Sequence, residues 1–285
     1  MVSSGVEVLG TTYSTYVNRV QIALNLKFVD YDYIEENLMS SKSDLLLKSN
    51  LVNKKVPVLI HDDKCICESR IIVQYIDETW TSNGYSILPF DSYDRAVPRL
   101  WAAYFDDKWI PLWKEVSITE GEAKDAAVAR AVEGLFLLDE AFIKISNGKA
   151  YFGGESIGYL DIVIGIMVNW IKAREIKANV KLFDKTKTPT LVKWAENFTS
   201  NDHVKDVLPS TDKAVEILTR ISSRISSSDI LLKISLIRSC YISVSIFILH
   251  LSSIPEFGSE RNQLLCYCAA LVAAASLPCL LCCGT

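Results

Sequence analysis

Apolar and polar positions alternate with a period of two along Val6-Glu7-Val8-Leu9, the spacing of a half-buried strand. The period then lengthens. Val17, Val20, Ala23 and Leu24 share one face of a helix predicted over residues 17–26. Tyr31-Asp32-Tyr33-Ile34 predicts a second strand. Residues 56–61 and 64–66 predict a hairpin about an Asp62-Asp63 turn. Ile72, Tyr75 and Ile76 give the inward face of a helix over residues 69–80. With one more helix before the hairpin, the order is strand, helix, strand, helix, strand, strand, helix.

Residues 81–91 contain Ser82-Asn83-Gly84 and Pro89 and read as a linker. From 92 to 227 the pattern is helical, with amphipathic stretches over residues 93–117, 123–145, 159–175 and 190–199. Gly153-Gly154 breaks the run. Gly158 and Asp161 have the spacing of a capping box in which glycine replaces the hydroxyl residue, so only the acidic half remains and Asp161 reads as structural.

After residue 227 the character changes again. Residues 230–254 are apolar around Lys233, Arg238 and His250, and residues 264–283 are almost continuously apolar. That second run reaches the length of a membrane span but lacks basic anchors on its C-terminal side. Residues 228–285 therefore stand as an unassigned apolar tail, read as foreign to the preceding domains, with membrane attachment as the alternative.

Composition narrows the function classes. The net charge of −4 and the absence of a basic cluster argue against a nucleic-acid partner. Met1-Val2-Ser3-Ser4-Gly5 has neither a basic flank nor an apolar run, so the chain reads as cytosolic, not secreted. Of the eight cysteines, only Cys65 and Cys67 precede the tail; they read as small buried residues, not as a disulfide framework. His61, His203 and His250 have no partners at metal-ligand spacing, and no metal site is expected.

The candidate chemistry lies in Lys54-Lys55-Val56-Pro57-Val58-Leu59-Ile60 and Cys67-Glu68-Ser69. A Pro before a strand is confined to an edge, a start or a bulge, and its peptide bond can be cis. Glu68-Ser69 falls where a helix begins, with unpaired N–H groups that favour an anion. Such a site can hold a small peptide. Ser14 precedes the first helix, and local sequence alone reads it as a helix cap.

These segments resemble the glutathione-binding region of the plant tau-class glutathione transferases. Gly10-Thr11, Asn18-Arg19-Val20, residues 101–108, Phe152-Gly153-Gly154-Glu155 and residues 204–209 agree as well, so the likeness runs from about residue 5 to about residue 225. It implies the glutathione transferase fold: an α/β thioredoxin-like N-terminal domain over residues 5–80 and an all-α C-terminal domain over residues 92–227.

The resemblance also implies a function. Glutathione would be the co-substrate, and its thiolate would attack hydrophobic electrophiles, with reduction of organic hydroperoxides as a side activity. A homodimer is implied too. Ser14 takes the thiolate-stabilising position. A serine there excludes the mixed-disulfide chemistry that a cysteine would run. Tyr13, Tyr16, Thr12 and Thr15 are rival hydroxyls nearby. Thr15-Tyr16 departs from the family's usual Pro-Phe, which could loosen the turn that aims Ser14. That departure keeps open the alternative of a non-catalytic carrier of hydrophobic ligands.

For glutathione, Ser41, Lys42 and Lys55 are implied at the glycine carboxylate end, Val56 at the cysteinyl amide, and Glu68 and Ser69 at the γ-glutamyl end. Tyr16, Tyr104, Lys108 and Trp170 are implied around the electrophile. Arg19 is expected to stabilise the domain interface.

Overall fold

The computed structural model describes residues 5–38 and 41–223. The alternation at the N-terminus becomes strand β1 (Val6–Gly10), which continues through helix α1 (Thr15–Leu26) into strand β2 (Asp32–Glu35), parallel to β1. Helix α2 (Asp44–Ser49) leads to strands β3 (Val58–His61) and β4 (Lys64–Cys67), and helix α3 (Ser69–Thr79) follows. The sheet order is β2-β1-β3-β4, with β3 antiparallel to both neighbours. Asp62 and Asp63 both take positive φ, as a two-residue hairpin turn requires. This is the thioredoxin-like arrangement expected from the sequence.

Both faces of the sheet are covered, and the period-two pattern divides them. Val6, Val8 and Leu59 join the core formed with α1 and α3. Leu9, Val58 and Ile60 pack against Leu46 of α2. The expected burial fails for Cys65, which is exposed, because β4 is an edge strand; Cys67 is half-buried, with its thiol pushed up by burial.

The segment after α3 is held tightly. Asp77 accepts from the backbone N–H groups of Ile87 (2.8 Å) and Leu88 (2.9 Å). It also pairs with Lys27 at 2.7 Å, and both side chains are buried. Lys27 lies just past the C-terminus of α1, where a cation is favoured by the helix dipole.

The helical part comprises α4 (Ser92–Tyr104), a π-helical turn (Phe105–Trp109), α5 (Ile110–Ile118), α6 (Gly121–Ser146), α7 (Tyr159–Gly165), α8 (Val168–Ala178) and α9 (Pro189–Ser200). Residues 211–218 are also helical. Described residues as far as Leu218 pack as one compact unit.

Two predicted helices are divided. The 93–117 stretch is interrupted by the π turn, which is anchored by Trp109: its ring stacks on Phe105 at 5.1 Å and its Nε1–H donates to Ala131 O. The 159–175 stretch breaks at Ile166-Met167. Every residue of α7 is buried, so no polar face marks where it stops. Among the described residues no helix is long and apolar enough to cross a membrane. The expectations for the tail lie outside the described residues.

Candidate active site

A cleft of about 480 Å³ forms where the sheet half meets the π turn. Helix α1 supplies Tyr16 and Arg19 to it, and the segment before β3 supplies Lys55, Val56 and Pro57. The Val56–Pro57 peptide bond is cis. Glu68, Ser69 and Arg70 enter from the start of α3, and Asp106 and Asp107 from the π turn. Its volume lies within the range of small-molecule sites.

The deep part is ionic. Arg19 is buried and grips Asp106 with two hydrogen bonds, Nη2–Oδ1 at 2.6 Å and Nη1–Oδ2 at 2.9 Å. Such bidentate pairs fix geometry as well as charge. The same guanidinium donates to Ser69 Oγ at 3.2 Å and to Val163 O at 2.9 Å. Arg70 Nε approaches Asp106 as well, 3.3 Å from the Oδ2 that Arg19 Nη1 engages. Arg19 thus ties the start of α3 to α7 and the π turn, as expected of a residue joining the two halves.

Ser69 opens α3; Ile71 N and Ile72 N donate back to Glu68 O, and the N–H groups ahead of them, at Ser69 and Arg70, face the end of the helix that favours anions. Glu68 precedes it with φ 69, a left-handed conformation that costs a non-glycine residue free energy and clusters at binding sites. Its carboxylate does not cap the helix; Oε1 accepts from Asn53 Nδ2 at 2.7 Å. Lys55 is exposed at the cleft.

Ser14 occupies the N-cap position of α1, yet its side chain makes no capping hydrogen bond. Its N–H donates to Thr11 O at 3.1 Å, and its carbonyl accepts from Asn18 N at 3.0 Å. The hydroxyl therefore remains available at the positive end of a 12-residue helix. Its rival Thr12 is engaged: that hydroxyl donates to Glu35 Oε2 at 2.9 Å. Tyr16 lies two residues into the helix, with the Arg19 guanidinium 5.0 Å from its ring centre. Burial, and then Asp106, push the Tyr16 phenol upward, away from ionisation.

Five of the predicted residues therefore line one cleft: Tyr16, Lys55, Val56, Glu68 and Ser69. Ser14, Ser41 and Lys42 do not line it. Ser41 and Lys42 are exposed just before α2, whose cap Ser43 accepts from Leu46 N and donates to Glu36. Tyr104, Lys108 and Trp170 are not brought to the cleft either. Tyr104 packs edge-on to Trp101, Lys108 is exposed, and Trp170 is buried in the helical core. Arg70 and Asp106 carry no role in the sequence reading; their only signal was adjacency to Ser69 and membership of the 101–108 match.

A second cleft of about 540 Å³, against α4 and the end of α6, holds none of the predicted site residues. Among the described residues no group of three or more His, Cys, Asp or Glu side chains could hold a metal ion.

Comparison with known proteins places this geometry. Residues 4–78 match the family model of the glutathione S-transferase N-terminal domain. Over 224 residues the chain is 52% identical to glutathione S-transferase U16 of Arabidopsis thaliana, an alignment spanning 78% of this chain and 96% of that protein. The tau-class glutathione S-transferase of mango, Mangifera indica, superposes with a TM-score of 0.72 at 52% identity, covering 75% of this chain and 97% of that one. The chain belongs to the tau-class glutathione S-transferases.

A rice relative solved in complex with glutathione also superposes on this transferase, with a TM-score of 0.71 at 28% identity, covering 78% of this chain and 99% of that one. The π turn and the Arg19–Asp106 pair are therefore features of a tau-class transferase, and its cleft can be read with that chemistry in view.

Proposed function

We propose that this transferase joins glutathione to hydrophobic electrophiles, and that Ser14 stabilises the reacting thiolate. The observation that carries this reading is the clustering of Lys55, Val56, Glu68 and Ser69 around one cleft at the N-terminus of α3, in a chain of this family. Residues 5–80 form the glutathione-binding domain, and residues 92–227 the helical domain that contributes the electrophile's pocket. The protein acts as a homodimer in the cytosol.

Each end of the tripeptide finds a complementary group. Lys55 faces the glycine carboxylate, with Ser41 and Lys42 as additional contacts at that end. The backbone of Val56 pairs with the cysteinyl amide. Ser69 and the first N–H groups of α3 take the γ-glutamyl carboxylate, and Glu68 takes the ammonium. Tyr16 is the cleft residue assigned to the electrophile.

The chemistry follows from the thiol. A free thiol is mostly protonated near neutral pH, so attack requires its ionised form to be favoured. A hydroxyl donating to sulfur and the N-terminus of α1 both favour the anion. The thiolate then attacks the electrophilic carbon, a C–S bond forms, and the leaving group departs with its electron pair. A carrier without turnover is not favoured, since the named relatives are transferases.

The test is the initial rate of glutathione conjugation to an aryl halide, with the full chain. A rate indistinguishable from the uncatalysed reaction sinks the proposal. Lys55 has an exposed side chain, so Lys55→Ala should leave the fold intact and weaken glutathione binding about fivefold, the loss of one partly solvated charge-assisted hydrogen bond. Isothermal titration measures it; unchanged affinity removes Lys55 from the site.

A further inference from the structure

Ser14 can act only if the turn that ends on it is held. The local backbone does not favour that turn: Tyr13, immediately before Ser14, takes φ 68, a left-handed conformation uncommon for an aromatic residue. The hold comes from β2. Gly10 and Glu35 are register partners at the ends of the parallel strands β1 and β2, which puts the Glu35 carboxylate beside the start of the turn.

That carboxylate takes three hydrogen bonds from two adjacent residues of the turn. Oε1 accepts from Thr11 Oγ1 at 3.2 Å and from the Thr12 backbone N–H at 2.9 Å, and Oε2 accepts from Thr12 Oγ1 at 2.9 Å. The Tyr33 hydroxyl, two residues earlier on the same face of β2, adds to the groups that hold this carboxyl below its usual range. Thr11 in turn offers its carbonyl to Ser14 N at 3.1 Å. A continuous chain of bonded groups thus runs from the carboxylate through Thr11 to the Ser14 backbone.

We propose that Glu35 is a positioning residue for the conjugation reaction: it clamps Thr11 and Thr12 and thereby fixes where the Ser14 hydroxyl points. The inference rests on the reading of Ser14 as the donor to sulfur. Glu35 does not line the glutathione cleft and is exposed on an edge strand, so it touches neither substrate nor core. Its effect should therefore appear in the ionisation of bound glutathione and not in global stability.

The experiment is a double-mutant cycle on the full chain with Glu35→Ala, Ser14→Ala and the pair. It reads kcat/KM for an aryl halide, the apparent pKa of the bound glutathione thiol by thiolate absorbance, the affinity for S-methylglutathione, and the thermal midpoint. Glu35→Ala should lower kcat/KM about fivefold and raise the thiol pKa, the cost of a loosened reacting geometry, with S-methylglutathione affinity within about twofold of the parent. In the Ser14→Ala background it should change nothing further, since the two act as one unit. Glu35→Gln keeps an acceptor at Oε1 and should fall between.

An equal loss in both backgrounds, or an unchanged thiol pKa in Glu35→Ala where Ser14→Ala raises it, overturns the clamp and leaves the role of Ser14 standing. No effect of Ser14→Ala on rate and thiol pKa overturns the reading of Ser14 and the clamp with it. Should Glu35→Ala fail to fold, Thr12→Val removes one bond from the other side and must reproduce the raised thiol pKa.

Discussion

Ser14→Ala should lower kcat/KM for conjugation between about 10- and 100-fold, the loss of one hydrogen bond to a charged group worth about 1.5–3 kcal/mol. The Ser14 hydroxyl is not spent on capping α1, so the substitution removes a group with no competing structural duty. Helix stability should scarcely change. Affinity for S-methylglutathione, which has no ionisable thiol, should stay within about twofold of the parent, because the lost bond favours only the thiolate. The rate should also rise with pH over a range displaced upward, since the bound thiol now ionises later.

Thr15 is the rival hydroxyl next to Ser14, at the first position of the helix. Thr15→Val should leave the rate within about twofold, as expected where no bond to the reacting atom is lost. If Thr15→Val gives the large loss and Ser14→Ala does not, the thiolate donor has been placed one residue too early.

Asp161→Ala should be the most destabilising single substitution, about 4 kcal/mol, because it strands several buried donors at once. The carboxylate is fully buried and accepts from Phe152 N, Gly153 N and Gly158 N, each at 2.8 Å, and from Trp194 Nε1 at 2.6 Å. Gly158 has no side chain to return the bond that a full capping box would make, so the start of α7 is held by Asp161 and by the Tyr159 N–H, which donates to Ile87 O at 2.9 Å. Burial pushes its carboxyl up to about 6, against the four N–H donors that favour the charged form, and leaves it ionised at neutral pH.

For a unit of this size the loss corresponds to a fall of about 10 °C in the thermal midpoint by calorimetry. Asp161→Asn should recover part of it, since the amide oxygen still accepts while its NH₂ meets donors. A midpoint within about 2 °C of the parent, the shift of about 1 kcal/mol or less at this size, would mean that water replaces the carboxylate.

Much of this molecule is legible in its residues. The hairpin, β1 and helices α1 and α3 are legible as short apolar runs and helical spacing, β1 and β3 being buried on both faces. Asp62-Asp63 marks the hairpin turn for a stated reason, tolerance of positive φ. Of the cleft residues, those next to Pro57 and at the start of α3 are found readily, since both segments are defined by local backbone chemistry.

What escapes has physical causes. The π turn leaves no mark on a 3.6-residue pattern, and the break after Gly165 is hidden because α7 has no exposed face. Asp106 reaches Arg19 only through tertiary packing, 87 residues away along the chain. Pocket residues on the helical side are hardest of all. Tyr104 and Trp170 have the composition of a lining and of a core alike, and only packing separates the two.

The Asp106 carboxylate balances two arginines that come from different helices of the sheet half, one of them fully desolvated. A truncated polypeptide ending after α3 would keep Arg19 and lose its counter-ion, at a position where an uncompensated charge is strongly unfavourable. The placement of Ser69 at the mouth of α3, which Arg19 holds, is consequently a property of the packed whole. A lineage shuffling catalytic modules among helical partners would have to carry this one acidic position with every exchange.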